Sequence, residues 1–169
     1  GGSDSLGVAG ILADARAANA NGVHCCTIVS CVTAQNSKEF YQYSATSIEL
    51  LEAQWLALRA QTAPQVIKIG LLVSSEQVQW LASKLEQYRD EHPEVMVIFD
   101  PVLVSSSNKT LVSPDTLNAI KQDLLVQVDL LTPNVGEAEQ LSGLSLLHSG
   151  DMIALGRTLR SEFGLSVLV

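Results

Sequence analysis

Short apolar runs alternating with helix-length amphipathic stretches leave this chain few folds. Val66 to Ile69, Val95 to Phe99 and Val128 to Leu131 are short, mostly apolar runs bounded by polar or turn residues, and read as strands, Val95 to Phe99 being continuously apolar. Val23 to Val32 reads as a further buried strand, and Ser166 to Val169 opens a last one. Between them lie helical stripes. Ile48, Leu51, Trp55 and Leu58 follow a Thr46–Glu49 capping box, and Val78, Leu81, Leu85 and Tyr88 follow a Ser74–Gln77 cap. Leu117, Ile120 and Leu124 follow Ser113-Pro114, and Asn134-x-x-Glu137 caps a short helix that Gly143 stops. Residues 150–163 read as the last helix, ending at Gly164. Parallel strands need a helical crossover, so the expected fold is α/β. One domain over residues 1–169 is predicted, with a mostly parallel sheet covered by helices on both faces.

The amino end is different in kind. Gly1-Gly2-Ser3-Asp4-Ser5-Leu6-Gly7-Val8-Ala9-Gly10 packs small residues, two hydroxyls and a carboxylate into a turn. A helix from Ala9 to Asn21 follows, with Ile11, Leu12, Ala15 and Ala18 on one stripe and Asn21-Gly22 as its stop. Such a loop lets a small ligand approach backbone N–H groups. The formal net charge of −8 argues against a nucleic-acid or anionic-membrane partner, although it leaves a small anionic ligand open. With 47% hydrophobic and 17% charged residues the chain is globular rather than disordered. Cys25, Cys26 and Cys31 are expected to be reduced, buried thiols. No apolar stretch reaches the roughly 18–20 residues of a membrane span, and no signal peptide opens the chain, so a cytoplasmic protein is expected.

Ligands of open parallel sheets bind outside the carboxyl ends of the strands. Polar residues collect there: Gln35 and Asn36, Lys68, Asp100, then Asn134 and Glu137. Each has a plain structural reading as well. Lys68 fits a solvent-facing sheet edge, Asp100-Pro101 a turn, and Asn134 with Glu137 a helix cap. Taken together, the carboxylates of Asp100 and Glu137 would share one rim, where Mg²⁺ is held by one or two carboxylates plus phosphate oxygens. His24, His92 and His148 show no zinc spacing. Phosphate-loop, nucleophile-elbow and dinucleotide glycine motifs are absent.

The motifs taken in order carry a resemblance. Gly2-Ser3-Asp4-Ser5-x-Gly7-x-Ala9-Gly10-Ile11-x-Ala13-Asp14, Thr33-Ala34-Gln35-Asn36, Lys68-Ile69-Gly70-Leu71, Asp100-Pro101-Val102 and Thr132-Pro133-Asn134-x-x-Glu137-Ala138-Glu139 span almost the whole chain. They resemble hydroxymethylpyrimidine/phosphomethylpyrimidine kinase, a ribokinase-like enzyme of thiamine biosynthesis. The resemblance implies that Gly2, Asp14 and Gln35 hold an aminopyrimidine, with Leu71 and Val102 packed on its ring. It also implies Asp100 and Glu137 near Mg²⁺, Asn134 and Lys68 on the ATP phosphate side, and a homodimer. A pyridoxal kinase of the same superfamily and a non-catalytic pyrimidine-binding domain are the alternatives.

Four departures accompany the match. Val8 stands where the family has glycine, and Ser106-Ser107-Asn108 stands where it has a glycine turn. A strand leading into Gly1 is lacking. So is the family's later glycine-rich anion-hole loop, so the catalytic base is expected beyond Val169 and none is assigned within the chain. By this resemblance the chain corresponds to the amino-terminal two-thirds of such a kinase, shortened at both ends.

Overall fold

The computed structural model describes residues 1–36, 38–104, 110–145 and 152–169. Strands are β1 (Gly2–Asp4), β2 (Cys31–Gln35), β3 (Phe40–Ala45), β4 (Val66–Ile69), β5 (Met96–Phe99), β6 (Leu130–Leu131) and β7 (Ser166–Val167). Helices are α1 (Gly10–Ala20), α2 (Ile48–Arg59), α3 (Ser75–Glu91), α4 (Pro114–Ala119), α5 (Val135–Ser142) and α6 (Met152–Phe163). The strands form two sheets, β1-β2-β3 and β4-β5-β6-β7. The second is wholly parallel, with Ile69 opposite Phe99 and Leu131 opposite both Phe99 and Val167. The α/β alternation is as expected.

The first sheet departs from expectation. The strand predicted over Val23 to Val32 begins only at Cys31 and continues through Gln35, into what looked like loop. Polar residues up to Ser44 then return as β3, antiparallel to β2. Phe40, Tyr41 and Tyr43 supply the aromatic content that favours a strand, but only Phe40 is buried, which blurred its periodicity. β1 had read as a turn. Its residues are extended because they pair in parallel with Cys31, Val32 and Thr33, a partner no local pattern reveals. Helix boundaries shift less. Ser47, not Thr46, caps α2, accepting from the Leu50 N–H at 3.3 Å. Past α4, a π-helical turn over Ile120–Leu124 carries the buried Ile120 and Leu124. Of the thiols only Cys31 is buried, while Cys26 is exposed and Cys25 half-buried. The Ser106–Asn108 turn, His148 and the first residues of the predicted last helix lie outside the described residues.

The core lies between α3 and the parallel sheet. Val78, Leu81, Leu85 and Tyr88, the predicted stripe, are all buried, the first three in one core cluster with Val97, Phe99 and Leu131 and Tyr88 against Trp55. One buried polar side chain interrupts this apolar layer. Gln77 donates from Nε2 to the Ser30 and Thr46 carbonyls, 2.9 Å each, and accepts from the Val73 N–H at 3.1 Å. Ser30 precedes β2, Thr46 follows β3 and Val73 follows β4, so one amide ties both sheets together. The Ser30 hydroxyl reinforces the joint with a 2.5 Å bond to the Leu71 carbonyl. Gln77→Leu would strip the Val73 N–H and the Thr46 carbonyl of this partner and leave the Ser30 carbonyl with only the Thr46 N–H. Urea unfolding should show a loss of about 3 kcal/mol; a loss under about 1 kcal/mol would remove Gln77 as the joint.

Candidate active site

Asp4 builds the opening loop. Its buried carboxylate accepts the N–H groups of Leu6 (3.3 Å), Val8 (2.9 Å) and Ala9 (3.1 Å), wrapping the loop around one anion. The Ser5 hydroxyl donates to the Thr33 carbonyl at 2.8 Å and the Thr33 hydroxyl to the Ser3 carbonyl at 3.1 Å, fastening loop to β2. Arg16 on α1 donates to the Gly7 carbonyl. Val8, the apparent misfit, is 72% exposed. Left-handed backbone falls instead on Gly7 and Gly10, at φ 65° and 59°. At Gly10 a Cβ would stand 2.2 Å from the Gly2 carbonyl oxygen, so only glycine permits this closure. Gly2 itself lies against Cys31 and Leu71, whose side chains a Cβ there would meet at 3.1 and 3.5 Å.

One cation connects this loop to the second sheet. Lys68 Nζ lies 2.7 Å from Asp14 Oδ1 and 3.2 Å from Asp100 Oδ2. Asp14 comes from α1 and Asp100 from the end of β5. All three side chains are more than a third exposed, so the trio adds little stability; its value is positional. Burial draws the Lys68 pKa down, but the hydrogen bond and field of Asp14, joined by Asp100, outweigh it and hold the ammonium above its ordinary value. Its contribution to stability is complete below the ordinary 10.5 and disappears only as pH rises through the higher folded value.

These groups line a single cleft of about 130 Å³. Gly2, Asp14, Gln35, Lys68, Leu71, Asp100 and Val102, seven of the residues singled out from sequence, all face it. Asn134 and Glu137 do not. They form a reciprocal cap at the start of α5, Asn134 N–H to Glu137 Oε2 at 2.9 Å and Glu137 N–H to Asn134 Oδ1 at 3.0 Å. Burial raises the Glu137 pKa; backbone bonds from Asn134 and Leu103 oppose that, and the Asp100 charge adds to it. The Asp100 field thus reaches Glu137, although the latter's carboxylate is already bonded to backbone. Among the described residues no group of three His, Cys, Asp or Glu side chains could hold a metal ion. Asp100 with Glu137 makes at most a two-carboxylate site, which suits an ion whose other ligands are waters and phosphate oxygens.

Sequence reasoning missed Asp4 as the loop's organiser, and Thr33 and Phe40 as cleft walls. Asp4 had a local signal, since an Asp ahead of a glycine-rich turn commonly accepts nearby N–H groups. Phe40 had none, because its place depends on the β2–β3 hairpin. Gly10→Ala tests the loop: it should cost at least about 2 kcal/mol in thermal or urea unfolding. A cost near zero would mean that the loop does not close as described.

The chain matches the family model for phosphomethylpyrimidine kinase over residues 4–169. It is 36% identical over 152 residues to a probable thiamine biosynthetic bifunctional enzyme of Oryza sativa subsp. japonica, covering 89% of this chain and 27% of that protein. It is 31% identical over 156 residues to the hydroxymethylpyrimidine/phosphomethylpyrimidine kinase of Rhizobium meliloti, covering 92% of this chain and 56% of that enzyme. The fold superimposes on a crystal structure of phosphomethylpyrimidine kinase from Clostridium difficile 630 with TM-score 0.86 and 27% identity, covering 95% of this chain and 70% of that one. The Bacillus subtilis pyridoxal kinase, in an ADP complex, gives TM-score 0.80 at 26% identity, over 98% and 60% of the two chains. The chain therefore spans a little over half the length of the bacterial relative and about a quarter of the plant one. With its fold, motif order and family match in agreement, this chain belongs to the phosphomethylpyrimidine kinase family of ribokinase-like proteins.

Proposed function

We propose that the full-length protein containing this chain transfers a phosphoryl group from ATP, with Mg²⁺, to 4-amino-5-hydroxymethyl-2-methylpyrimidine or its monophosphate, in thiamine biosynthesis. The observation that carries this reading is the convergence of Asp14, Gln35 and an apolar floor on the cleft that also holds Lys68 and Asp100. An uncharged aminopyrimidine presents ring-nitrogen acceptors and an amino donor. The Gln35 amide offers both complements, and Asp14 offers an acceptor oxygen beside the one bonded to Lys68. Gly2 permits close approach of the ring, while Leu71 and Val102 give it apolar contact.

Phosphoryl transfer demands positioning and charge neutralisation rather than a covalent intermediate. Lys68 with Asp14 and Asp100 carries a net charge of about −1 near neutrality, so this trio alone does not attract a phosphate. Asp100 and Glu137 would face Mg²⁺, and Asn134 would hold the mouth of α5 toward the phosphates. Bound there, the ion would supply the positive charge that neutralises the transferring group. Lys68 braces Asp14 and Asp100, fixing the pyrimidine wall relative to the phosphate side. No cleft residue is assigned as proton acceptor for the substrate hydroxyl. A homodimer is the assembly proposed, by analogy with the family.

Likeness to the Bacillus subtilis pyridoxal kinase keeps pyridoxal as a second substrate to test. Coupled ATP-turnover assays on the full-length protein should rank the hydroxymethylpyrimidine or its phosphate above pyridoxal; the reverse order would favour the second reading. Binding without turnover would make this a non-catalytic pyrimidine-binding domain. Asp14→Ala should raise KM for the pyrimidine about tenfold or more with KM for ATP unchanged, the size expected for losing a charge-assisted hydrogen bond. Equal losses on both substrates would refute the pyrimidine role of Asp14.

A further inference from the structure

Asn36 stands next to Gln35 at the end of β2, yet it does not line the cleft. Its hydrogen bonds go to the β2–β3 hairpin instead. The side-chain oxygen accepts the N–H groups of Lys38 at 2.8 Å and Glu39 at 2.9 Å. Its backbone N–H donates to the Glu39 carbonyl at 2.9 Å, and its side-chain nitrogen to the Tyr41 hydroxyl at 3.2 Å. One residue thus closes the turn with backbone and side chain together.

The turn holds a register shift in place. Thr33 pairs with Tyr43 and Ala34 with Gln42, but Gln35 pairs with Phe40 and skips Tyr41. In an unbroken ladder Gln35 would stand opposite Tyr41. An extra residue in one strand re-aims the side chains beyond it, because successive residues point to opposite faces. Thr33 and Gln35, two apart on β2, both line the cleft. Residues directly opposite in an antiparallel pair share a face, with Cβ atoms about 4.5–5.5 Å apart. Phe40 therefore joins Gln35 on the cleft side, where it is buried and lines the cavity. Its ring lies 6.1 Å from that of Tyr43, three residues on, a spacing that shares a face only because of the bulge. Tyr41 is left exposed, tied to Asn36.

Phe40 is the one aromatic side chain among the described residues of the cleft wall. It belongs to the same buried cluster as Leu71 and Leu111, which also line the cleft. Leu71, Val102, Val104 and Leu111 offer aliphatic contact, whereas a phenyl ring adds offset-stacked or edge-to-face contact with another aromatic ring. We propose that Phe40 is a further substrate-binding residue, packed against the planar ring whose polar edge Gln35 reads, and that Asn36 positions it by fastening the bulge. This inference rests on the reading of the cleft as an aminopyrimidine site.

The test uses the full-length protein and 4-amino-5-hydroxymethyl-2-methylpyrimidine, with calorimetric Kd, steady-state kinetics and isotope-filtered NOEs to labelled phenylalanine rings. Phe40→Leu keeps an apolar side chain and removes the ring. It should weaken Kd and raise KM for the pyrimidine about fivefold or more, with KM for ATP within about twofold of wild type. Asn36→Ala should weaken pyrimidine binding in the same direction. Asn36→Asp keeps both acceptor bonds and can take the Tyr41 hydroxyl proton, so it should restore binding to within about twofold. In the saturated wild-type complex, NOEs should join the ligand's methyl or ring protons to the Phe40 ring. A Phe40→Leu Kd within about twofold of wild type, or a saturated complex without those NOEs, would overturn this inference while leaving the substrate reading intact. Should Phe40→Leu not fold, the wild-type NOEs decide alone. Wild-type protein that does not bind the pyrimidine would overturn the substrate reading and this inference with it.

Discussion

Two sheets that share no ladder meet at a buried amide, backed by the bond from the Ser30 hydroxyl to the Leu71 carbonyl. Gln77 reaches from the first turn of α3 to a carbonyl before β2, a carbonyl after β3 and an N–H after β4. Every atom that can bond in its side chain is placed, and no buried side-chain nitrogen or oxygen among the described residues lacks a partner. This matters for the site because its members come from both sheets. Gln35 ends β2, Leu71 follows β4, and Asp100 follows β5. If the joint slipped, the cleft would have no fixed width.

Within that frame the charges are sparse and deliberate. The chain has 18 acidic and 10 basic residues, yet the cleft contains one lysine between two carboxylates. Lys68 is exposed enough that its pairs contribute little to folding, and it stays charged well above neutral pH. Its role is geometric: α1 and the end of β5 cannot separate without parting an ammonium from an oxygen. Asp4 does similar work at shorter range. A carboxylate that takes three backbone N–H groups turns a glycine-rich stretch, otherwise entropically loose, into a wall of the cleft.

How much of this could be read from the residues follows from the range of the interactions. β5 was legible because its residues form a continuous apolar run, β4 because its short, mostly β-branched run ends at a glycine, and the Asn134–Glu137 cap because both partners lie within one turn. The α3 stripe was legible for the same local reason. β1 was not, since Gly-Ser-Asp has no strand signature and becomes extended only by pairing with residues about thirty positions later. β3 was hidden because most of its side chains face solvent. At the site, the carboxyl ends of the strands put Gln35, Lys68 and Asp100 on one rim and the resemblance added Asp14, and the four line one cleft. The same strand-end reading grouped Asn134 and Glu137 with them; those two cap α5 reciprocally and do not line the cleft.

The central proposal is that the cleft under the Asp4 loop binds the pyrimidine. Titrating the ¹⁵N-labelled chain with 4-amino-5-hydroxymethyl-2-methylpyrimidine and following backbone amide shifts tests it directly. Saturable shifts centred on Gly2, Gln35, Gly70 and Val102, with Thr27 and Ile28 unmoved, are the result predicted. Shifts centred on Thr27 and Ile28, or no saturable shifts at all, would contradict the account.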